Sequence, residues 1–227
     1  MITVLSLGGS IIAPDKVDEQ FLSGFVSLIR ELLEADETRR FIFVSGGGGP
    51  ARTWQTAYRN ISGGGSNDQA DWIGVMATRL NAQLVKAVMG NYCTQEVVTD
   101  PSQAGPLAGR VLVAAGWKPG FSSDYDAVLL AERFQADKVI NLSNIAQVYT
   151  DDPRKNPAAR PIDRISWEDF RALVGDEWTP GKNVPFDPVA SRRAAKIGLQ
   201  VICAEGRNLD NLRKLLTGEK FLGTVIG

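Results

Sequence analysis

Short apolar runs alternate along this chain with longer segments in which apolar residues recur every three or four positions. The runs have the length of buried strands and lie at 2–7, 40–45, 110–115, 139–142, 199–204 and 221–226. The segments between them are typical of amphipathic helices and lie from Asp18 onward, at 69–89, 127–134, from Ser166 to Leu173, 187–197 and 209–216. This alternation predicts an α/β fold, a three-layer α/β/α sandwich whose largely parallel central sheet is covered by helices on both faces.

Composition excludes several classes of chemistry. The 227 residues include no histidine, which excludes Ser-His-Asp hydrolysis, histidine-ligated zinc and a histidine general base. Two distant cysteines, Cys93 and Cys203, lack any metal-ligand spacing and predict buried free thiols rather than a disulfide. A net charge of −1 gives no global electrostatic case for nucleic-acid binding, and no apolar run approaches the roughly 20 residues that span a membrane. We therefore expect a cytoplasmic protein without a membrane or nucleic-acid partner.

Two glycine runs follow the first two predicted strands. Gly8-Gly9-Ser10 follows the first, and Gly46-Gly47-Gly48-Gly49 follows the second. In a parallel sheet such loops lie at the carboxyl ends of the strands, where ligands bind and where the next helix offers unpaired N–H groups to a phosphate. Arg52, in the first turn after the second run, adds a bidentate phosphate donor. The alternative is that the glycines only make tight turns, but two such loops on successive strands favour a phosphate site.

Seven short motifs follow one another along the chain: SLGGS at 6–10, SGGGGPAR at 45–52, DWIG at 71–74, TRLNA at 78–82, GWKPGFSSD at 116–124, SNIAQVYTDDP at 143–153 and FDPVA at 186–190. This ordered set resembles the amino-acid kinase superfamily and, within it, the archaeal-type uridylate (UMP) kinases. The resemblance implies one domain over residues 1–227, with the acceptor side mainly in 1–135 and the ATP side mainly in 136–227. It implies transfer of the γ-phosphoryl group of ATP, with Mg²⁺, to UMP, and a homo-oligomer, a hexamer in uridylate kinases.

The resemblance also assigns roles to individual residues. Gly9 and Ser10 would hold the ATP phosphates, and Gly48 and Arg52 would contact the transferring region. Asp71 and Gly47 would bind the acceptor nucleotide and its phosphate, and the acceptor loop would wrap that nucleotide with Trp117, Lys118, Pro119, Gly120, Phe121, Ser122 and Ser123. The adenosine pocket would be lined by Ser143, Asn144, Tyr149 and Asp152. No protein side chain is predicted to ligate a metal.

Ser6 is the main departure from the family pattern, because many members carry a lysine there that neutralises the transferring phosphate. We expect Lys118 to supply the missing charge as a catalytic residue together with Arg52, with Lys182 as the second candidate. Asp124 is the third predicted catalytic residue, because a carboxylate beside a phosphate site orients a cation, addresses Mg²⁺ or caps a helix. The helix that begins near Tyr125 makes the capping role the simpler alternative.

Other departures leave two interpretations open. Trp117 and Phe121 stand where the family has smaller or different residues, and either stack on a base or plug the loop against a helix. Ala146-Gln147 replaces Asp-Gly in the ATP segment, which alters the shape of that pocket. Asp151-Asp152 is compatible with a simple turn before Pro153.

Three functions remain compatible with the sequence. A UMP kinase is the first. A superfamily kinase with a different small acceptor, such as a carboxylate, is the second; isopentenyl phosphate kinases are disfavoured because they use a histidine that this chain lacks. The third is a non-catalytic nucleotide- or oxyanion-binding storage or regulatory protein of the same fold.

Overall fold

The computed structural model describes residues 2–175, 177 and 184–227. Its strands are β1 (Ile2–Leu7), β2 (Arg40–Ser45), β3 (Val111–Ala114), β4 (Lys138–Ser143), β5 (Val148–Tyr149), β6 (Pro161–Ile162), β7 (Arg164–Ile165), β8 (Gln200–Glu205) and β9 (Thr224–Ile226). Its α-helices are α1 (Gly9–Ile12), α2 (Glu19–Ala35), α3 (Gly48–Ile61), α4 (Asn67–Met89), α5 (Ser123–Arg133), α6 (Trp167–Val174), α7 (Pro188–Ile197) and α8 (Leu209–Thr217). Single 3₁₀ turns lie at Gly90–Tyr92 and Pro101–Gln103.

The central sheet has seven strands in the order β3-β2-β1-β4-β8-β9-β7. All neighbours are parallel except β8 and β9, which are antiparallel. The predicted α/β fold with a largely parallel sheet is therefore confirmed. The short β5 and β6 form a separate antiparallel pair. The final strand is shorter than predicted, because it begins at Thr224 rather than Phe221.

Alternating residues of each strand face different helical layers. Leu5 and Phe43 join the apolar cluster that includes α2, α8 and the second half of α4. Val4 and Ile42, one residue earlier on the same strands, join the cluster with α5, α6 and α7. This sidedness follows from the two-residue period of a strand and produces the three layers. Among the described residues, no helix is long and apolar enough to cross a membrane.

Side-chain caps begin several helices where the sequence has short polar residues. Asp18 accepts a hydrogen bond from the amide of Phe21 (3.0 Å) at α2, and Asp187 accepts one from the amide of Ala190 (2.7 Å) at α7. Ser166 caps α6 in the same way (3.1 Å). Both cysteines are buried free thiols, as predicted.

The carboxyl ends of β3, β2, β1 and β4 lie side by side at one edge of the sheet. The register pairs Leu7 at the end of β1 with Ser45 of β2 and Leu142 of β4. The ladder continues into the glycine loops, since the amide of Gly8 donates to Leu142 O and that of Gly46 to Leu7 O (both 2.9 Å). This register brings the two glycine loops together.

Candidate functional site

The two glycine loops pack backbone against backbone. A Cβ atom on Gly9 would lie 1.9 Å from the amide nitrogen of Gly48. Gly48 itself has a φ of +68°, and its Cβ would lie 2.3 Å from the carbonyl oxygens of both Gly9 and Ala13. These positions therefore require glycine for loop-to-loop packing, whatever ligand the loops hold.

A cavity of about 330 Å³ opens beside the second glycine loop. Its walls are the start of α3, the first half of α4 and the loop that joins β3 to α5, which we call the acceptor loop (residues 116–122). The cavity is lined by Gly47, Gly48, Ala51, Arg52, Gln55, Asp71, Gly74, Val75, Thr78, Gly116, Lys118, Pro119, Gly120, Phe121, Ser122, Ser123 and Asp187. The structure thus brings together all residues predicted for the acceptor nucleotide except Trp117, together with Gly48 and Arg52.

Helix α4 positions both walls of the cavity. The buried Asn81 donates from its side-chain amide to the carbonyl oxygens of Gly46 (2.7 Å) and Gly47 (3.2 Å). One turn earlier, the hydroxyl of Thr78 accepts the amide of Gly116 (2.8 Å) at the start of the acceptor loop. Sequence reasoning assigned neither residue a role. Their signal was the motif TRLNA at 78–82, which places two polar residues three positions apart on one face of a helix.

Asp71 holds the far end of the acceptor loop. Its Oδ2 accepts the amide of Gly120 at 3.2 Å. Asp71 also lines the cavity. Its other oxygen, Oδ1, is therefore the one that can contact an acceptor nucleotide.

Two cations face the cavity. Arg52 donates to the carbonyl oxygen of Pro14 (2.8 Å) and is otherwise exposed. Lys118 is exposed, and its Nζ lies 3.9 Å from the centroid of the Trp117 ring. Neither side chain forms an ion pair within the part of the chain that the structure describes. Both are therefore placed to meet an anionic ligand.

Ser6 occupies the position at which the family pattern has a lysine, and it is hydrogen-bonded to Asp124. Its hydroxyl donates to Asp124 Oδ1 (3.1 Å), and the amide of Asp187 donates to Oδ2 (3.3 Å). Burial, and then the charge of Asp187, raise the pKa of Asp124 to about 6. In residues 2–175, 177 and 184–227 no lysine or arginine forms an ion pair with Asp124. Lys182, the second candidate for the missing charge, lies outside the described residues.

The capping alternative for Asp124 is wrong. Helix α5 begins at Ser123, and its cap is Ser122, whose hydroxyl accepts the amide of Tyr125 (3.2 Å). Asp124 lies inside the first turn, which turns its carboxylate toward β1 rather than toward the helix end.

Trp117 does not line the cavity, although the sequence placed it among the nucleotide-binding residues. Its amide donates to Oδ2 of the buried Asp126 (3.1 Å), and its ring packs 5.1 Å from that of Phe121. These contacts hold Trp117 within its own loop, and base stacking by its ring stays a prediction. Phe121 does line the cavity and packs 4.9 Å from Tyr125.

Apart from Gly48 and Arg52, the residues predicted for ATP lie beyond the cavity lining. Ser143 ends β4 beside the first glycine loop, and its hydroxyl accepts the amide of Ile145 (3.4 Å). Ser10 lies in α1, Tyr149 in β5, and Asn144 is exposed between β4 and β5. Their contact with a nucleotide remains a prediction.

Asp152 is engaged within its own turn. Arg154 donates from Nε to Oδ1 (3.0 Å) and from a terminal nitrogen to Oδ2 (3.1 Å), and this side chain is the main cause that lowers the pKa of Asp152. The neighbouring Asp151 accepts the side-chain amide of Asn156 (2.9 Å). These contacts match the turn interpretation, and any nucleotide contact from Asp152 would share its carboxylate with Arg154.

Gln147, a departure from the family pattern, has a structural role. It is buried, and its side-chain amide donates to Asp163 Oδ1 (2.8 Å) and to the carbonyl oxygen of Gly223 (3.2 Å). The residue therefore joins the β5–β6 region to the last strand.

Comparisons with known proteins agree with this architecture. The model of the amino acid kinase family matches residues 1–205. Uridylate kinase from Methanospirillum hungatei JF-1 is 34% identical over 228 residues, covering 98% of this chain and 93% of the relative. Uridylate kinase from Thermoplasma acidophilum is 32% identical over 225 residues, covering 98% and 95%.

Solved structures give the same result. The crystal structure of uridylate kinase from Archaeoglobus fulgidus has a TM-score of 0.85 and 32% identity, with complete coverage of both chains. UMP kinase from Bacillus anthracis shares the fold, with a TM-score of 0.79 at 19% identity, over 100% of this chain and 95% of that one. The chain belongs to the amino acid kinase family.

Proposed function

We propose that this chain is a UMP kinase that transfers the γ-phosphoryl group of ATP to UMP, giving UDP and ADP. The observation that carries the proposal is the cavity between the second glycine loop and the acceptor loop, with Arg52 and Lys118 free of ion pairs among the described residues. The full-length similarity to uridylate kinases supports the choice of acceptor.

The chemistry fits a site without histidine. An acceptor phosphate is already nucleophilic at neutral pH, so the transfer requires positioning and charge neutralisation rather than a general base. Arg52 offers two parallel N–H groups to a phosphate, and Lys118 offers a compact point charge. We assign both to the phosphate where donor and acceptor meet, with Asp71 on the nucleoside part of UMP.

We place the donor on the other side of the first glycine loop. Gly9 and Ser10 would hold the ATP phosphates, and Ser143, Asn144, Tyr149 and Asp152 the adenosine. The cavity lining supports this division within a single domain, because apart from Asp187 it comes from residues 47–123.

Asp124 and Asp187 fit the Mg²⁺ that accompanies ATP in such transfers. Mg²⁺ is commonly held by one or two carboxylates together with substrate phosphates and water. Asp187 reaches the cavity wall, and its charge acts directly on Asp124. Among the described residues there is no cluster of three metal-binding side chains, so the two aspartates would hold the ion jointly with the nucleotide. When bound, Mg²⁺ supplies positive charge to the transferring phosphate.

The decisive experiment is a coupled ADP-release assay with ATP, Mg²⁺ and a panel of UMP, CMP, AMP, GMP and amino acids. UMP is expected to stimulate ADP release above every other acceptor. Stimulation by an amino acid but not by UMP would instead identify a carboxylate-acceptor kinase. Tight nucleotide binding without turnover of any monophosphate would favour the storage or regulatory alternative.

We further propose that the protein acts in the cytoplasm as a homo-oligomer, as the resemblance to hexameric uridylate kinases implies. Helices α3 and α4 expose five large apolar side chains that a second copy would cover: Trp54, Ile61, Trp72, Met76 and Leu80. Met76 and Leu80 are 57% and 70% exposed and lie one turn apart, so they form a continuous stripe.

A further inference from the structure

Two contacts hold Trp117 through its backbone. Its amide donates to Asp126 Oδ2 (3.1 Å), and its carbonyl oxygen accepts a hydrogen bond from a terminal nitrogen of Arg79 (3.1 Å). The Ser102 hydroxyl is the largest cause that lowers the pKa of Asp100, and the Trp117 side chain acts in the same direction, so the indole lies near that carboxyl. Helices α4 and α5 therefore fix the position of this residue in the acceptor loop.

The face of this ring carries the ammonium group of Lys118. Lys118 Nζ lies 3.9 Å from the Trp117 centroid and 5.4 Å from that of Phe121. A lysine over an indole face is attracted by the negative face of the ring, most strongly for tryptophan among the aromatic residues. Because Lys118 also lines the cavity and has no ion-pair partner within the described parts of the chain, the ring restrains a side chain that is otherwise free to rotate.

We propose that Trp117 is a positioning residue, whose ring holds the Lys118 ammonium group at the cavity wall so that it meets the transferring phosphate. This role rests on the proposed phosphoryl transfer, but the contact itself does not. It also gives a physical reason for the tryptophan next to Lys118. The acceptor loop has to supply the positive charge that Ser6, in place of a lysine, does not provide. Trp117 acts through Lys118 and does not touch the nucleotide.

The first test is a double-mutant cycle of Trp117→Leu, Lys118→Met and the double variant, assayed for UMP-dependent ADP release. Trp117→Leu is expected to lower kcat about fivefold to tenfold with a smaller change in KM, while Phe121 retains part of the contact. In the Lys118→Met background the same change is expected to have little effect. Trp117→Phe keeps a ring face and is expected to restore most of the activity, which a loss of loop packing alone does not predict. Equal effects of Trp117→Leu in both backgrounds would overturn the proposal.

The second test does not require kinase activity. Lysines are labelled by reductive ¹³C-methylation, and the signal of Lys118 is assigned from its loss in Lys118→Met. We expect an upfield ring-current shift that disappears in Trp117→Leu and persists in part in Trp117→Phe. An unshifted Lys118 signal would overturn the proposal even in an active enzyme. If the wild-type protein releases no ADP with UMP, the proposed function fails, while this shift still decides whether Trp117 holds Lys118.

Discussion

The hydroxyl of Ser6, at the end of the first strand, donates a hydrogen bond of 3.1 Å to Oδ1 of Asp124. A hydroxyl at this position solvates that carboxylate but adds no positive charge. Burial, and then the charge of Asp187, raise the pKa of Asp124 to about 6. Asp124 therefore has no cationic partner among the described residues, and it is one of the two carboxylates that we propose for Mg²⁺.

Replacing Asp124 with asparagine tests this role. Asp124→Asn removes one negative charge with little change in size, so we expect kcat to fall at least about tenfold and the Mg²⁺ concentration for half-maximal rate to rise. Steady-state kinetics over a Mg²⁺ titration measures both values. The exposed Asp137, changed to asparagine, is the matched control and should leave them unaltered. An unchanged Mg²⁺ requirement in Asp124→Asn would remove Asp124 from the metal site.

Lys118 is expected to be essential for transfer. Lys118→Ala removes the charge predicted to replace the family lysine, and kcat should fall about a hundredfold or more, as for removal of a group that stabilises transition-state charge. Lys118→Arg keeps a charge and should retain part of the rate. Turnover of Lys118→Ala equal to that of the wild type would show that the missing cation is supplied elsewhere.

Gly48 should tolerate no side chain. Its φ is +68°, and a Cβ atom would lie 2.3 Å from two carbonyl oxygens, so Gly48→Ala should lower the free energy of unfolding by roughly 3 kcal/mol or more. Gly63 is the matched control, since its φ is +65° but nothing lies within 4 Å of its Cβ position. Gly63→Ala should cost only about 1 kcal/mol. Urea denaturation measures both; equal losses would mean that backbone conformation alone, rather than loop-to-loop packing, requires glycine at position 48.

Asp126 should make stability depend on pH. Burial raises its pKa to about 7, and one of its oxygens, Oδ1, has no hydrogen-bond partner among the residues that the structure describes. Because the folded-state pKa lies above the ordinary value near 3.8, this group contributes stability at low pH. That contribution is lost as the pH rises from about 4 to 7, at about 1.4 kcal/mol per pKa unit at most.

The variant Asp126→Asn isolates this effect. Its side-chain oxygen can still accept the Trp117 amide, so the loop contact should survive. We expect the free energy of unfolding to change less between pH 5 and pH 8 than in the wild-type protein, with a gain at pH 8. Asp137→Asn should leave the wild-type slope intact. An equally steep pH dependence in Asp126→Asn would contradict the prediction.

The exposed stripe on α4 should control assembly. Changing Met76 and Leu80 to lysine places charge in the proposed interface, so the oligomer should dissociate to smaller species in light scattering after size-exclusion chromatography. Glu168→Lys, on the exposed surface of α6, controls for added positive charge. Persistence of the wild-type mass in the double variant would exclude this surface as the interface.

The main strands and most of the helices could be predicted because their patterns are local. An apolar run such as Arg40–Ser45 indicates a buried strand. The spacing of apolar residues in Glu19–Ala35 indicates a helix and the face that it buries. The two-residue strands β5, β6 and β7 were not predicted, because a pair of residues carries no period. Ser122 rather than Asp124 caps α5. Serine and aspartate both form helix caps, so the sequence does not tell which of two positions, two residues apart, begins the helix.

Some residues of the candidate site could likewise be predicted from the sequence, and others could not. The glycine runs, Arg52, Asp71 and the acceptor loop were identified from motif order, and they do meet around one cavity. Thr78 and Asn81 were missed, because a polar residue on a helix shows its role only once its partner across the fold is known. Trp117 was assigned to the nucleotide, but its backbone is held by Asp126 and Arg79 and its ring packs on Phe121, contacts that no sequence pattern shows.

The sequence by itself determined the α/β alternation, the placement of glycine loops at strand ends, and the absence of histidine chemistry, because these depend on residue type and local spacing. Only the tertiary structure decided three contacts. Gly9 and Gly48 pack too closely for either to carry a side chain, Ser6 is hydrogen-bonded to Asp124, and the Lys118 ammonium group lies over the Trp117 ring. These contacts join segments 39 to 118 residues apart or depend on the path of a loop. Their geometry is fixed by how β1, β2 and α5 pack, which no local pattern of residues encodes.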